Sequence, residues 1–259
     1  MRAVGVIPAR YASTRFPGKP LHPILGKPMI QWVVERALRV RGLESVLVAT
    51  DDERIMEAVA SFGGVAVMTP RSCSSGSDRV WHAVRDTSFD VILNIQGDEP
   101  ALKPEGLEAV LGLMASHAEL GLATLVSPLR SEEEYRNPNV VKAALGEGGR
   151  CLYFSRSPVP YLRARGLEDA PVYKHVGVYA YRKEILEAFT SWPPSGLESA
   201  ECLEQLRALE HGVDVSAVVV DWPCCGVDEP ADVAAAEAAL AAEAGSGLAG
   251  GGARRGGDR

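Results

Sequence analysis

The chain has 259 residues, of which 46% are hydrophobic and 24% are charged, a composition typical of a globular protein with an ample core. Its 27 basic and 34 acidic residues give a net charge of −7, which argues against broad electrostatic binding to nucleic acid or to an anionic membrane. No apolar run approaches the ~20 residues of a membrane-spanning helix, and the first residues lack a signal-peptide pattern, so we expect a cytoplasmic protein.

The first half of the chain alternates short apolar runs with helix-like segments, which predicts an α/β fold with parallel strands and helical crossovers. We expect strands at residues 3–7, 45–50, 65–68 and 91–95, and helices at 29–40, 51–60 and 76–84. Asp51 is the expected N-cap of the second helix. Such an alternation favours a mostly parallel central sheet with helices on both faces.

The loop after the first predicted strand carries three cations, Arg10, Arg15 and Lys19. A parallel strand delivers the loop that follows it to the sheet edge where ligands normally bind, so these side chains are expected to converge on one polyanion such as a triphosphate. The segment has neither the Walker A pattern nor the dinucleotide-binding glycine pattern, which disfavours an ATPase and a dehydrogenase. The alternative interpretation is a solvated basic surface loop.

Two carboxylates, Asp98 and Asp228, each precede a Glu-Pro pair at the end of a predicted strand. Mg²⁺ binds to one or two carboxylates together with phosphate oxygens, so the two aspartates predict a magnesium site opposite the cationic loop. For Asp228 a second interpretation stays open, in which it caps the last helix, with Pro230 in the first turn.

The second half of the chain is expected to add to the same sheet. A hairpin is predicted at residues 140–145 and 151–154, strands at 176–181 and 213–220, and helices at 197–209 and 230–242. The Gly/Arg-rich tail at 243–259 is expected to be disordered. The odd number of cysteines and their spacing favour reduced packing residues over zinc ligands; they are Cys73, Cys151, Cys202, Cys224 and Cys225.

Several polar residues of the second half are candidates for binding a hydroxylated, acidic substrate. Arg156 and His175 are the first two, although a surface ion pair or a satisfied core residue is the simpler interpretation of each. Glu198, Glu201 and Gln205 are spaced to share one face of the predicted helix at 197–209. Such a face is suited to sugar hydroxyls.

Eight segments of the chain match one family in order and spacing: residues 7–20, 48–51, 94–100, 137–142, 153–156, 174–179, 203–207 and 226–228. On these segments the chain resembles the 3-deoxy-manno-octulosonate cytidylyltransferases, the bacterial CMP-Kdo synthetases. The likeness extends from about residue 1 to about residue 242. Ser77 and Asp78 stand where the family pattern has Thr and Glu.

The resemblance implies a Rossmann-like nucleotidyltransferase fold with a smaller hairpin-containing insertion, and a single domain over 1–242. Within it, a nucleotide-binding part at about 1–125 would precede a sugar-binding and dimerisation part at about 126–242. The implied reaction joins CTP, as co-substrate, to 3-deoxy-manno-octulosonate (Kdo) for lipopolysaccharide biosynthesis, releasing pyrophosphate by in-line attack of the anomeric hydroxyl on the α-phosphate. Mg²⁺ and a homodimer are implied as well.

The resemblance also implies roles for individual residues. The triphosphate is expected at Arg10, Arg15 and Lys19, and the metal at Asp98 and Asp228; Arg10, Lys19 and the two aspartates are the expected catalytic residues. The cytosine is expected at Arg79, Gln96 and the backbone of Pro8 and Ala9. The sugar is expected at Arg156, His175, Tyr179, Glu201 and Gln205.

Two other functions are compatible with these residues. One is CTP-dependent activation of a different acidic sugar, 8-amino-Kdo or a sialic acid, which the sugar pocket alone decides. The other is a non-catalytic nucleotide-binding protein on the same fold, since a fold does not determine a function. Retention of both aspartates and Lys19 argues against the second, because binding alone does not require carboxylates beside phosphates.

Overall fold

The computed structural model describes residues 1–13, 15–163, 166–222 and 226–249. The strands found there are β1 (Ala3–Ala9), β2 (Pro23–Ile24), β3 (Lys27–Pro28), β4 (Leu43–Thr50), β5 (Val65–Met68), β6 (Val91–Asn94), β7 (Leu122–Pro128), β8 (Lys142–Leu145), β9 (Cys151–Ser155), β10 (Tyr173–Arg182) and β11 (Val215–Val219). The α-helices are α1 (Met29–Ala37), α2 (Glu53–Ser61), α3 (Gly76–Val84), α4 (Pro104–Ser116), α5 (Glu132–Arg136), α6 (Lys183–Ser191), α7 (Gly196–Glu201), α8 (Gln205–Glu210) and α9 (Val233–Ala249).

One mixed sheet, with the strand order β11-β7-β10-β6-β1-β4-β5, passes through both halves of the chain. Strands β6, β1, β4 and β5 are parallel, and so are β7 and β11, whereas β10 runs antiparallel to both β6 and β7. The predicted hairpin is present as the antiparallel pair β8–β9, which joins the sheet beside β10. The expected mostly parallel sheet with a hairpin-containing insertion is therefore confirmed.

Alternation along the central strands divides the core between the two faces of the sheet. Ala3 and Ile7 of β1 belong to one buried cluster, which also contains apolar residues of α1, α2 and α4. Val4 and Val6 belong to the other, together with residues of α3, α6 and α8. Because successive side chains of a strand point to opposite faces, β1 is covered by helices on both sides, as predicted.

A third, smaller apolar cluster lies next to the cationic loop. It joins Phe16 of that loop to Ile24 of β2, Val227, and Ala236 and Leu240 of α9. The helix α9 is tied to the same region by Glu237, which accepts a hydrogen bond from the backbone N–H of Leu25. The helix α9 therefore packs against the loop that carries Arg15 and Lys19.

The predicted helix at 197–209 is wrong in one respect: the structure has two short helices, α7 and α8, at this place. Cys202 between them adopts left-handed backbone angles, with φ 52° and ψ 48°, which no α-helix interior contains. Glu198 and Glu201 therefore lie on α7 while Gln205 begins α8, so the three side chains do not share one helix face.

Other differences concern the ends of helices. The N-cap of α2 is Asp52, whose side chain accepts from the backbone N–H of Arg54, and not Asp51. The last helix begins with a 3-10 turn at Pro230–Asp232 and is described to Ala249, beyond the predicted end at residue 242. The elements α4, β7 and α6 were not delineated from the sequence. Among the described residues, no helix is long and apolar enough to cross a membrane.

Cys73, Cys151 and Cys202 are free thiols, as predicted. Cys151 is buried in the core, and burial raises the pKa of its thiol to about 12. Cys224 and Cys225, as well as residues 250–259 of the tail, lie outside the described residues.

Candidate active site

A cleft of about 270 Å³ opens at the carboxyl ends of β1 and β6, beside the start of α3. This is the edge at which ligands bind in open α/β sheets. All of the residues predicted for nucleotide or metal line it: Pro8, Ala9, Arg10, Arg15, Lys19, Arg79, Gln96, Asp98 and Asp228. The structure thus brings together side chains from four distant parts of the sequence.

Lys19 is at the centre of the charged wall of this cleft. Its Nζ donates to Oδ2 of Asp98 at 2.6 Å and to the backbone oxygen of Val227 at 2.9 Å, and it lies 3.6 Å from Oδ1 of Asp228. The backbone N–H of Val227 donates to the carbonyl of Asp98, which holds the two aspartate-bearing segments side by side. One ammonium group therefore contacts both carboxylates.

Arg15 and Arg10 complete the cationic wall. Nη2 of Arg15 lies 3.0 Å from Oδ1 of Asp228, and both side chains are more than half exposed. Arg10 is exposed and makes no hydrogen bond within the described residues. Since the Asp228 side chain is paired with cations, while the backbone N–H groups of Asp228 and Glu229 donate to Asp232, the interpretation of Asp228 as a helix cap is wrong.

Arg79 is fixed on the opposite side by an ion pair and a hydrogen bond. It lies on the first turns of α3, whose start is set by a capping box between Ser75 and Asp78. Its Nη2 donates to Oδ2 of Asp51 at 2.8 Å, and its Nη1 donates to Oγ1 of Thr69 at 2.6 Å. Asp51, which was predicted to cap α2, thus binds Arg79 instead. Only 4% of Arg79 is exposed, so its position in the cleft wall is firmly set.

Gln96 lies at the boundary between the cleft and the residues predicted for the sugar. A Cβ atom on Gly177 of β10 would lie only 3.1 Å from Cγ of Gln96, so the small residue permits this close contact. The pairing register of β10 with β7 shifts between Val176 and Tyr179, which is a local irregularity of the kind found beside active sites. None of the five predicted sugar residues lines the cleft itself.

His175 and Tyr179 lie together on β10. Their ring centroids are 5.2 Å apart, and His175 is also in edge contact with Phe154. The Nε2 atom of His175 is 3.0 Å from Oγ1 of Thr124. Burial lowers the pKa of His175 to about 3, so its imidazole is neutral near neutral pH, and burial raises the pKa of Tyr179 well above its usual value.

Arg156 and Glu201 form a second group. The carboxylate of Glu201 accepts from Oγ of Ser155 at 2.6 Å and from the backbone N–H of Arg156 at 2.9 Å. The guanidinium of Arg156 donates to three backbone carbonyls, those of Pro138, Glu201 and Cys202. These contacts hold the end of β9 against the turn between α7 and α8. They do not use every hydrogen-bonding position of the Arg156 guanidinium or the Glu201 carboxylate.

Gln205 and Glu198, the other two residues of the helix face predicted at 197–209, have different surroundings. Gln205 is buried at the start of α8. Glu198 pairs with Arg207, whose Nε and Nη2 lie 2.7 and 2.5 Å from its oxygens, so Glu198 is part of the folded framework. The ion pair with Arg207 and the hydrogen bond from Ser195 hold the pKa of Glu198 below its usual value, against the opposing effect of burial.

Two carboxylates near the site were not singled out from the sequence. Glu99, next to Asp98, has a buried Oε2 without a hydrogen-bond partner, and burial together with the Asp98 carboxylate raises its pKa to about 8. Glu204 accepts from Oγ of Ser77 at 2.8 Å, while its buried Oε1 has no hydrogen-bond partner and lies 4.0 Å from Nη2 of Arg207. The only indication of them in the sequence was their position next to a predicted site residue, Glu99 after Asp98 and Glu204 before Gln205. Such a position does not reveal that a carboxylate is buried.

The carboxylates of the cleft fit a Mg²⁺ ion bound together with phosphates. Within the described ranges no group of three or more His, Cys, Asp or Glu side chains is arranged to hold a metal. Asp98 and Asp228, however, already bind one shared cation, the Lys19 ammonium. Two carboxylates are the protein ligand set that Mg²⁺ uses when phosphate oxygens and waters supply the rest.

Comparison with known proteins identifies relatives along nearly the whole chain. The Cytidylyltransferase family matches residues 4–215. A 3-deoxy-manno-octulosonate cytidylyltransferase of Syntrophobacter fumaroxidans is 48% identical over 248 residues, which are 94% of this chain and 99% of the relative. An 8-amino-3,8-dideoxy-manno-octulosonate cytidylyltransferase of Shewanella piezotolerans is 44% identical over 94% of this chain and all of its own.

A solved structure supports the same relationship. The CMP:2-keto-3-deoxy-manno-octonic acid synthetase complexed with CTP superposes with a TM-score of 0.89 and is 45% identical, covering 94% of this chain and 100% of its own. Similarity of both sequence and fold at this level extends over nearly the whole chain.

Proposed function

The chain belongs to the cytidylyltransferase family, and we propose that it transfers the CMP group of CTP to Kdo, giving CMP-Kdo and pyrophosphate. The observation that carries the proposal is the cleft in which three cations from one loop lie beside two carboxylates, Asp98 shortly after β6 and Asp228 in the loop before α9, nine residues beyond the end of β11 and not at the strand end that the sequence predicted. The relatives named for this reaction, and the similar structure that contains CTP, support the choice of nucleotide and sugar.

The reaction is an in-line substitution at the α-phosphorus of CTP. A bond forms between the anomeric oxygen of Kdo and phosphorus, and the bond from phosphorus to the bridging oxygen of the β-phosphate breaks. The anomeric hydroxyl gives up its proton to solvent water, and pyrophosphate leaves with the electrons of the broken bond. Because no covalent link to the protein is needed, positioning and neutralisation of charge are the main contributions expected from the chain.

The cationic loop is proposed to bind the triphosphate. Arg10, exposed and without a partner among the described residues, is free to donate to phosphate oxygens. Arg15 and Lys19 are paired with aspartates, and phosphate would compete with those aspartates for them. In this assignment Arg10 and Lys19 stabilise the charge that develops on the departing pyrophosphate.

Asp98 and Asp228 are proposed to hold Mg²⁺. Once bound there, this ion would neutralise phosphate charge and would lower the pKa of a coordinated hydroxyl. The two aspartates are supported in this role by their common contact with Lys19, which shows that one cation reaches both.

Nucleobase and sugar are assigned to opposite sides of Gln96. Arg79, held by Asp51 and Thr69, and Gln96, with the backbone of Pro8 and Ala9, are proposed to bind the cytosine. The proposed sugar residues are Arg156, His175, Tyr179, Glu201 and Gln205. The contact between Gln96 and Gly177 supports this division, because Gly177 lies between His175 and Tyr179 on β10.

Two other acceptor sugars compete with Kdo. Relatives named for 8-amino-3,8-dideoxy-manno-octulosonate are almost as similar to this chain as those named for Kdo, so identity alone does not separate the two sugars. A sialic acid is a third acceptor compatible with the carboxylate and hydroxyl groups that the site would bind.

Pyrophosphate release by the purified protein tests these assignments. The assay uses Mg²⁺, each of the four common nucleoside triphosphates, and Kdo, 8-amino-Kdo or sialic acid as acceptor. Release with CTP and Kdo is the expected result. Release with CTP and another acceptor would retain the reaction and change the sugar, and no release with any pair would support a nucleotide-binding protein without activity.

A homodimer and a cytoplasmic location, both expected from the sequence, also remain proposals. Light scattering after size-exclusion chromatography tests the dimer, and cell fractionation tests the location.

A further inference from the structure

Tyr11 connects the two ends of the cationic loop through its backbone. Its carbonyl oxygen accepts hydrogen bonds from the backbone N–H of Ser13 at 3.0 Å and of Gly18 at 2.9 Å. Arg10 immediately precedes Tyr11, and Lys19 immediately follows Gly18. The separation of these two cations therefore depends on the conformation of Tyr11.

The ring of Tyr11 lies against Gly18. This glycine has a φ of +72°, and a Cβ atom there would lie 3.2 Å from both Cζ and Oη of the tyrosine. Glycine is favoured at this φ, and it also lets the ring approach the backbone directly before Lys19. The ring is thus part of the surface on which the end of the loop rests.

Arg54 of α2 stacks on the same ring. Its Cζ is 3.3 Å from the ring centroid, a distance at which a planar guanidinium is in van der Waals contact with the aromatic system. The guanidinium is oriented by Asp52, because Nε donates to Oδ1 at 2.8 Å and Nη2 donates to Oδ2 at 2.7 Å. Asp52 also caps α2, so a contact chain leads from the helix start to Gly18.

We propose that Tyr11 and Arg54 are positioning residues for nucleotide binding. They hold the loop so that Arg10 and Lys19 face the triphosphate, while Tyr11 and Arg54 do not touch the triphosphate. The inference rests on the proposed function, since it assumes that the loop binds CTP. The side chain of Arg54 is 57% exposed, and exposed ion pairs contribute little to global stability. The main effect of the stack is therefore expected on affinity for CTP rather than on folding.

Binding of CTP with Mg²⁺ but without any acceptor sugar, measured by calorimetry on the full-length protein, tests this role. Tyr11→Ala is expected to weaken CTP binding by about tenfold, because displaced loop cations no longer match the phosphates. Arg54→Ala is expected to weaken it by about threefold. Tyr11→Phe keeps the ring and is expected to bind within about twofold of the wild type.

Two controls separate positioning from charge and from folding. Arg71→Ala removes an exposed cation that shares a surface recess with Arg54 and makes no contact with Tyr11, so it should leave CTP affinity unchanged. Arg54→Ala keeps the backbone bond from residue 54 to Asp52, so α2 keeps its cap and the melting temperature should not change. In the double variant Tyr11→Ala/Arg54→Ala, the loss should equal that of Tyr11→Ala alone, because Arg54 acts through the ring.

The possible results are distinct. Additive losses in the double variant, or a lower melting temperature with unchanged CTP affinity, would overturn the positioning role while leaving the proposed function intact. Failure of the wild-type protein to bind CTP would overturn the proposed function and the positioning role with it.

Discussion

The ammonium group of Lys19 lies 2.6 Å from Oδ2 of Asp98, so an ion pair joins the loop after β1 to the segment after β6. The pair is only partly exposed, which limits its screening by water and salt. A cation of the chain therefore contacts the same carboxylates that we assign to Mg²⁺, and phosphate and metal must both alter this contact when they bind.

Replacing Asp98 tests the assignment of the metal. Asp98→Asn removes one of the two carboxylates proposed to hold Mg²⁺. It is expected to lower kcat by about 100-fold or more, because a weakly held Mg²⁺ no longer neutralises the phosphate charge of the transition state. Direct binding of Mn²⁺, measured by electron paramagnetic resonance, should weaken in parallel. Asp86→Asn, at an exposed site outside the cleft lining, is the control for loss of a negative charge. Near-normal turnover and Mn²⁺ binding by Asp98→Asn would reject the assignment.

Replacing Lys19 should separate the metal from the nucleotide. Lys19→Met is expected to weaken CTP binding, because a phosphate partner is lost, yet to strengthen Mn²⁺ binding without nucleotide by about fivefold, because a competing unit charge leaves the two carboxylates. Lys27→Met, which removes a cation paired with Glu35 instead, should change neither constant. Weaker Mn²⁺ binding by Lys19→Met would show that the lysine supports the metal rather than competes with it.

Burial of His175 predicts a dependence of stability on pH. The pKa of His175 falls from 6.5 to about 3 on folding, so below pH 6.5 the unfolded chain takes up a proton that the folded chain does not. This residue alone should therefore reduce the free energy of unfolding by about 2 kcal/mol between pH 7 and pH 5. In urea denaturation of His175→Gln, the free energy of unfolding should change less between pH 7 and pH 5, by that amount. The control His117→Gln, which replaces an exposed histidine, should show the same change as the wild type.

The left-handed backbone at Cys202 predicts a stabilising substitution. A residue with a Cβ atom loses roughly 1–2 kcal/mol in this conformation, and glycine does not, although glycine has more backbone entropy to lose on folding. Cys202→Gly is therefore expected to raise the free energy of unfolding by about 0.5 kcal/mol. Cys202→Ala keeps the Cβ atom and should give no gain. Equal stabilities of the two variants would mean that the backbone angles at 202 are not a source of strain.

The sequence predicted best where signals were local and repeated. Buried strands such as the one around Val4 and Val6 are continuous apolar runs, and strand ends carry the loops that hold Lys19 and Asp98, so their convergence follows from the parallel topology. The break at Cys202 has neither glycine nor proline to indicate it, and the helix pattern continues across it. The choice between Asp51 and Asp52 as N-cap depended on Arg79, which is distant in sequence.

The residues predicted for nucleotide and metal line one cleft, but the sequence did not indicate their contacts. No sequence pattern indicates that Lys19 reaches both aspartates, or that Oε2 of Glu99 is buried without a partner, because both depend on tertiary packing. Arg156 was expected to be available to a sugar, yet its guanidinium donates to three backbone carbonyls of neighbouring turns. Whether a candidate side chain is free or already engaged is decided by packing.

In the function that we propose, the reversed direction of β10 separates the residues for the acceptor sugar from those for the nucleotide. A parallel strand presents only its last residues to the ligand edge, but β10 enters from that edge, and its first residues reach past Asn94, where β6 ends. The stretch from Tyr173 to Gly177 can therefore change in sequence without altering the pairing of β1 with β4 or β6. If the proposed sugar residues are correct, those on β10 can therefore change while the residues of the nucleotide cleft stay the same.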